Sequence, residues 1–215
     1  FFLIGPLLGI LLMPVLVRAE GSQQTSGVTV QTIIDKTRYY LSEISADYWT
    51  GVRLLPIVND GVMDIAAVSK CLEKIQVFTI LTGVTSYKIT GNYIALERVV
   101  YSGATTTYDS SNFKGLSKTT IQKIGHIENV GEPVQYYAWA DYICIDPKPS
   151  SAVSGYTITA YLIDRPTAIT GASAIPTPAI YDDALVLFVA ARALKFDKQY
   201  STANDLMAEY LSRIS

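Results

Sequence analysis

Between Gly131 and Pro166 the chain reads GEPVQYYAWADYICIDPKPSSAVSGYTITAYLIDRP, and its apolar residues return at every second position in three successive runs. A period of two belongs to a strand with one face turned inward. Val134–Trp139 is rich in aromatic residues, which suit a pleated, half-buried surface. Ala140-Asp141 is a gap short enough for a tight hairpin, although it lacks the usual glycine. Tyr142–Asp146 then sets Ile143 and Ile145 on one face, and Pro147-Lys148-Pro149 stops the strand because proline has no N–H for a ladder. Tyr156–Ile163 alternates again, with Tyr156, Ile158, Ala160 and Leu162 on one side. A hairpin does not bury its own faces, so the flanking segments must supply the rest of the core.

Upstream of this unit the period is helical. Thr29–Ser45 carries Val30, Ile33, Ile34, Leu41 and Ile44 on one face, with Asp35, Lys36, Arg38 and Glu43 opposite. A second helix is predicted to run to about Glu73 on Trp49, Val52, Leu55, Val58, Val62, Ile65 and Val68. Pro56 requires it either to begin near Leu54 or to kink there. From Gln76 the period drops to two. Gln76–Thr82, Ser86–Thr90, Tyr93–Tyr101 and Thr105–Tyr108 read as strands, punctuated by Gly83, Gly91 and Gly103. Phe113–Gly125 is ambiguous and contains a possible helical turn.

Downstream, Ile175-Pro176-Thr177-Pro178 leads into a helix over Ala179–Lys195, with Ile180, Ala184, Leu187, Phe188, Ala191 and Leu194 as its stripe. Phe196–Gln199 is a tight connection to a last helix, Tyr200–Ile214, so the two should lie antiparallel. The expected class is therefore α+β. Helix pairs from the two ends of the chain would form a bundle, and an antiparallel β module would be inserted between them. The corresponding units are 28–75 plus 176–215 for the helical core and 76–175 for the β module.

Residues 1–27 stand apart. Phe1–Val17 is an unbroken apolar run, short for a membrane span and interrupted by Pro6 and Pro14. It is the apolar part of an export signal, with Val17-Arg18-Ala19 as its cleavage site, or upstream sequence outside the folded body, with a membrane anchor as the third and least favoured reading; all three set these residues apart from the fold, and no membrane is expected for the folded body.

Composition narrows the function. Of 215 residues, 49% are hydrophobic and 17% charged, which excludes a disordered chain. The net charge of −2 offers no basic footprint for gripping nucleic acid. His126 is the one histidine, with no GxSxG and no cysteine close in sequence, so a nucleophile–base pair is not expected. Asp182-Asp183 sits where acids complement a helix dipole. Asp141, Asp146 and Asp164 flank strands as ordinary turn residues or as a cation site. Cys71 and Cys144 read as buried apolar groups that would pair only in an exported protein. No catalytic residue, metal ligand or cofactor is assigned. Trp49, Tyr136, Tyr137, Trp139 and Tyr142 serve either as core and hairpin packing or as a platform of exposed rings for a sugar or a partner.

The same residues carry a family likeness. Pro133 followed by Tyr136-Tyr137, a strand ending in Pro147 and Pro149, the strand end Tyr161 to Arg165-Pro166, and the helix start Pro178 to Tyr181 before Asp183-Ala184-Leu185 resemble tailed-phage head-to-tail adaptor (connector) proteins of the tail tubular protein A type. DYWTGVRLLPIVN, with Trp49, Leu54-Leu55 and Asn59, resembles the first helices of that family. The likeness spans roughly residues 28–215 and implies a structural virion protein rather than an enzyme. It implies a homo-oligomeric ring, commonly twelve-fold, docked under the portal protein, extending the DNA channel and presenting a surface to tail or stopper proteins. Assembly would take place in the host cytoplasm. The interface residues expected from it are Trp49, Tyr136, Tyr137, Trp139, Tyr142, Arg165 and Tyr181. A channel that must pass DNA should not hold it, and a chain of net charge −2 fits that demand. The competing reading is an exported binding module with a cleaved N-terminal signal, periplasmic or secreted, stabilised by a Cys71–Cys144 bridge.

Overall fold

A computed structural model describes residues 25–43, 45–103, 113–123 and 129–214. Thr29 caps the first helix, α1 (Val30–Tyr40), by accepting the Thr32 N–H on its hydroxyl at 3.3 Å. The helix stops five residues short of the expected end because Ser42 turns into positive φ (54°). Helix α2 (Gly51–Ser69) runs straight through Pro56 in sequence. Val52 and Pro56 are both exposed, so water can meet the Val52 carbonyl that lacks an i+4 partner. Its buried stripe is Leu54, Ile57, Val58, Val62, Ile65 and Ala66, while Val52 and Val68, expected inside, face solvent.

Lys70 closes α2 in the left-handed region, and β1 (Glu73–Thr79) begins three residues later. The strands β2 (Ser86–Lys88), β3 (Tyr93–Ser102), β4 (Phe113–Gly115), β5 (Ser117–Lys118), β6 (Val130–Gly131), β7 (Gln135–Trp139), β8 (Tyr142–Asp146), β9 (Lys148–Pro149) and β10 (Thr157–Asp164) follow. Residues 105–108, expected as a strand, lie outside the described residues. The region read as ambiguous holds β4, β5 and a short 3-10 turn at Ile121–Lys123. One sheet has the order β1-β10-β3-β4 and a second the order β2-β8-β7-β5, while β6 and β9 form a third.

The first and last strands of this region are neighbours, with Glu73 opposite Ile163 and Thr79 opposite Thr157. The Asp164 N–H donates to the Leu72 carbonyl at 2.6 Å, so the chain leaves the sheets where it entered them. The Pro147-Lys148-Pro149 segment does not end pairing. It changes partner, and Lys148 and Pro149 run parallel to Val130 and Gly131. Pro149 is tolerated because this two-stranded sheet asks no ladder donor of it.

A 3-10 turn, Ala179–Tyr181, leads into α3 (Asp182–Phe196), and α4 (Tyr200–Ile214) closes the described chain. The residues from Ala184 to Ala191 are all buried, including Leu185, Val186, Val189 and Ala190, which lie off the expected stripe. Ile180, expected on the stripe, is 82% exposed. A stretch of about two turns that is apolar all round has to be covered from several sides, and α1, α2 and α4 each pack on α3. Gly61 of α2 allows one such approach: a Cβ there would stand 2.6 Å from Leu185 Cδ1 and 2.8 Å from Phe188 Cδ1.

These findings overturn the expected architecture. Among the described residues there are four helices and ten strands in three sheets. The helices are not two terminal pairs of equals, because α3 is a buried hub. The middle is not a small antiparallel module. It is a large region that carries all ten described strands, and β5 with β7, like β6 with β9, pairs parallel.

Two apolar clusters result. One gathers α1, α2, α3 and α4 with Ile169 and Ile175. The other gathers Ile80, Tyr87, Val99, Tyr136, Ile143, Ile145, Ile158 and Leu162 from the two four-stranded sheets.

Candidate assembly surface

The turn between α1 and α2 is held by side chains. Glu43 Oε1 accepts the N–H groups of Tyr48 and Trp49 at 2.6 and 2.8 Å, and Arg38 Nε donates to the Trp49 carbonyl at 3.2 Å. This drives the Trp49 ring inward, where it is 5% exposed and its Nε1–H donates to Asp197 Oδ2 at 3.2 Å. Tyr48 stacks edge-on against it at 5.1 Å, and Phe196, from the end of α3, lies 6.5 Å from it. The outer sides of Tyr48 and Phe196 stay exposed. Together with Arg53, Pro56, Ile57 and Arg192 they form an open groove of ≈ 430 Å³. Arg53 lies 4.3 Å from the Tyr48 ring centre. Among the described residues neither Arg53 nor Arg192 has an ion-pair partner.

The β7–β8 hairpin turns through Ala140-Asp141, as its length predicts. Ala140 takes the positive φ (49°) that glycine normally supplies. Trp139 stands opposite Tyr142, and both rings are exposed, 64% and 41%. Asp141, in the turn between them, is exposed and has no ion pair among the described residues. Tyr93 OH donates to the Ala140 carbonyl at 3.2 Å and steadies the turn.

A third feature lies where helices meet strands. Asn59 of α2 clamps the chain leaving β10: its Oδ1 accepts the Ile169 N–H at 2.8 Å, and its Nδ2 donates to the Ile169 carbonyl at 3.2 Å. Beside it, Lys74 pairs with Asp164 at 2.9 Å, and Arg165 and Pro166 line a cleft of ≈ 690 Å³. Asn59 and Arg165-Pro166 are 106 positions apart in sequence at the closest (Asn59 to Arg165), and the fold makes them neighbours around one cleft.

The seven expected interface residues therefore separate. Trp139, Tyr142 and Arg165 are exposed, Tyr137 and Tyr181 are half-buried, and Trp49 and Tyr136 belong to the two cores. The groove residues Tyr48, Arg53, Arg192 and Phe196 were not among them. Phe196 reads as a connection residue in sequence, and the exposed edge of an aromatic pair carries no periodic signal.

The other candidates of the sequence take structural places. Asp182 accepts the Ser26 hydroxyl at 2.6 Å, and burial raises its carboxyl above the usual range. Asp183 faces solvent beside Lys36 and Arg213. Asp146 accepts from Gln135 Nε2 at 2.6 Å, so Asp141, Asp146 and Asp164 each have a separate setting. Among the described residues no group of three or more His, Cys, Asp or Glu could hold a metal. Cys71 and Cys144 are free and buried, Cys71 in the helical cluster and Cys144 on β8, so the bridge of the exported-module reading is not formed. Burial raises the Cys71 thiol. His126 lies outside the described residues. No described helix is long and apolar enough to cross a membrane.

What these residues offer is contact surface: two aromatic patches, one on each cluster, with unpaired charges beside the rings. A family model for the SU10 adaptor protein matches residues 28–215. The chain belongs to that family, and so is a phage adaptor and a structural component of the virion, as the sequence likeness implied. No curated protein matches it.

Proposed function

We propose that this adaptor forms a ring between the portal and the tail of its phage and continues the DNA channel between them. The observation that carries this reading is the family match across residues 28–215. The chain's own chemistry supports it. A net charge of −2 suits a conduit that lets phosphate pass without counterion-releasing contacts. A closed ring needs two different patches on each subunit, and the groove at Tyr48 and Phe196 and the hairpin tip at Trp139 and Tyr142 supply two. Assembly on the portal takes place in the host cytoplasm, and the tail or stopper proteins meet the face turned away from the portal.

The test is direct. Purified chain is mixed with the portal ring of the same phage and imaged by electron microscopy. A layer of adaptor subunits beneath the portal is expected. Portal rings that remain bare at saturating adaptor would overturn the proposal.

A further inference from the structure

The groove between α2 and the end of α3 is open and apolar, with two guanidinium groups beside it. Arg53 and Arg192 lie against the faces of Tyr48 and Phe188, at 4.3 and 5.3 Å from the ring centres. Asp60 of α2 also lines it. At ≈ 430 Å³ the space falls within the range that encloses a compact apolar group. The hairpin tip is its complement. Trp139 and Tyr142 present two exposed rings, Asp141 between them is an acid with no described ion-pair partner, and Lys88 stands opposite Tyr142 on β2. The charges match in kind: the acid Asp141 at the tip complements Arg53 and Arg192 at the groove, and the base Lys88 complements Asp60. Both patches stay open among the described residues of one chain, so the contact is one to be made between chains.

We infer that the β7–β8 tip of one subunit seats in the α2–α3 groove of a second copy, with Trp139 as the anchor and Asp141 facing Arg53 and Arg192. This deepens the ring proposed above and rests on it. One patch meets a different patch, so the contact is head-to-tail and is used once by every subunit of a closed ring. Buried aromatic anchors dominate such contacts, and charges around them set register and partner choice.

The experiment uses the full chain assembled on the portal ring. A variant carrying both Asp141→Cys and Arg53→Cys, which keeps the Trp139 anchor and the Phe196 ring, is oxidised and run on a non-reducing gel; Cys71 and Cys144 are buried, and the unsubstituted chain is the control. A ladder of covalent adaptor oligomers is expected. In parallel, Asp141→Arg should weaken subunit association by about tenfold or more, as should Arg53→Glu with Arg192→Glu. The combined triple variant should restore it, which a variant that merely misfolds would not do. Assembly on the portal without a ladder and without rescue overturns the inference and leaves the adaptor reading standing. Cross-links from position 141 to portal or tail protein alone also overturn it. Bare portals with a ladder in free solution overturn the adaptor reading and leave the contact intact.

Discussion

The helical cluster and the sheet cluster bury their residues by different rules. In the sheets, membership of the shared core follows the pleat, although intervening residues such as Cys144 and Thr159 are also buried. Ile143 and Ile145 of β8, and Ile158, Ala160 and Leu162 of β10, point into one core at every second position. In the helices it follows no common width of stripe. α3 buries every residue from Ala184 to Ala191 and exposes Asp183, Arg192 and Phe196 near its ends, whereas α4 buries only Ala203, Tyr210 and Ile214 of its fifteen residues. The helical core also draws on residues 30–71 and 169–214, so it closes only when the sheet region returns the chain beside its starting point. The sheet core uses residues 80–162, a continuous span. One region is made by a hub and its coverings, the other by alternation. Each leaves an aromatic patch uncovered where its rule runs out: at the end of α3 for the hub, and at the hairpin tip for the pleat.

The widest gap between the regions should come from truncating one large ring in each. Phe188→Ala removes the hub's contact with Gly61 and its edge-on partner Tyr210, and should cost about 3–5 kcal/mol. Hydrogen exchange should then quicken through α1, α2 and α4 together. Tyr136→Ala, at 2% exposure in the sheet core, should cost a similar amount with exchange quickening in β7 and β8 first. Identical exchange patterns for the two variants would erase the distinction.

A smaller effect tests the seam. Asn59→Ala leaves the Ile169 N–H and carbonyl without their side-chain partner and should cost about 1–3 kcal/mol in denaturant unfolding. No loss would show that the clamp on the chain leaving β10 is dispensable.

Alkaline pH probes both clusters at once. Burial, with Glu132 and Tyr156 nearby, pushes the Tyr101 hydroxyl from its usual 10.0 up to about 12. Burial and the hydrogen bond that Tyr210 donates to Asp64 raise Tyr210 as well. The folded state therefore holds these protons where the unfolded chain releases them. Stability from this source is intact below pH 10 and should fall as pH rises through the range from 10 to about 12. Denaturation midpoints that stay level across that range would count against buried, neutral tyrosines.

The smallest expected effect is a gain. Ala140→Gly relieves a left-handed alanine in the hairpin turn and should add roughly 1 kcal/mol. A loss instead would mean that the turn relies on the alanine methyl.

Much of this was legible from residue order. The hairpin through Ala140-Asp141, the bounds of β8 and α4, and the inward faces of β8 and β10 follow from periods and turn chemistry, which act over a few residues. The adaptor likeness was legible too, because Trp49, Asn59, Arg165-Pro166 and Asp183-Ala184-Leu185 are local words in the sequence. The role of α3 was less visible. Choosing one stripe along DDALVLFVAARALKF assumes an amphipathic helix, and this helix is buried on every side from Ala184 to Ala191. The same assumption placed Val52 and Val68 of α2 inside, and produced two equal helix pairs where the structure has a hub.

Local order decided which segments would be helix and which strand, because propensity and period are properties of neighbouring residues. Which strands would run parallel, which helix would be enclosed, and which rings would stay outside were decided only when distant segments met. Trp49 and Trp139 are the same side chain in similarly aromatic surroundings; one is core and the other surface because Asp197 and Phe196 reach the first and no described segment covers the second.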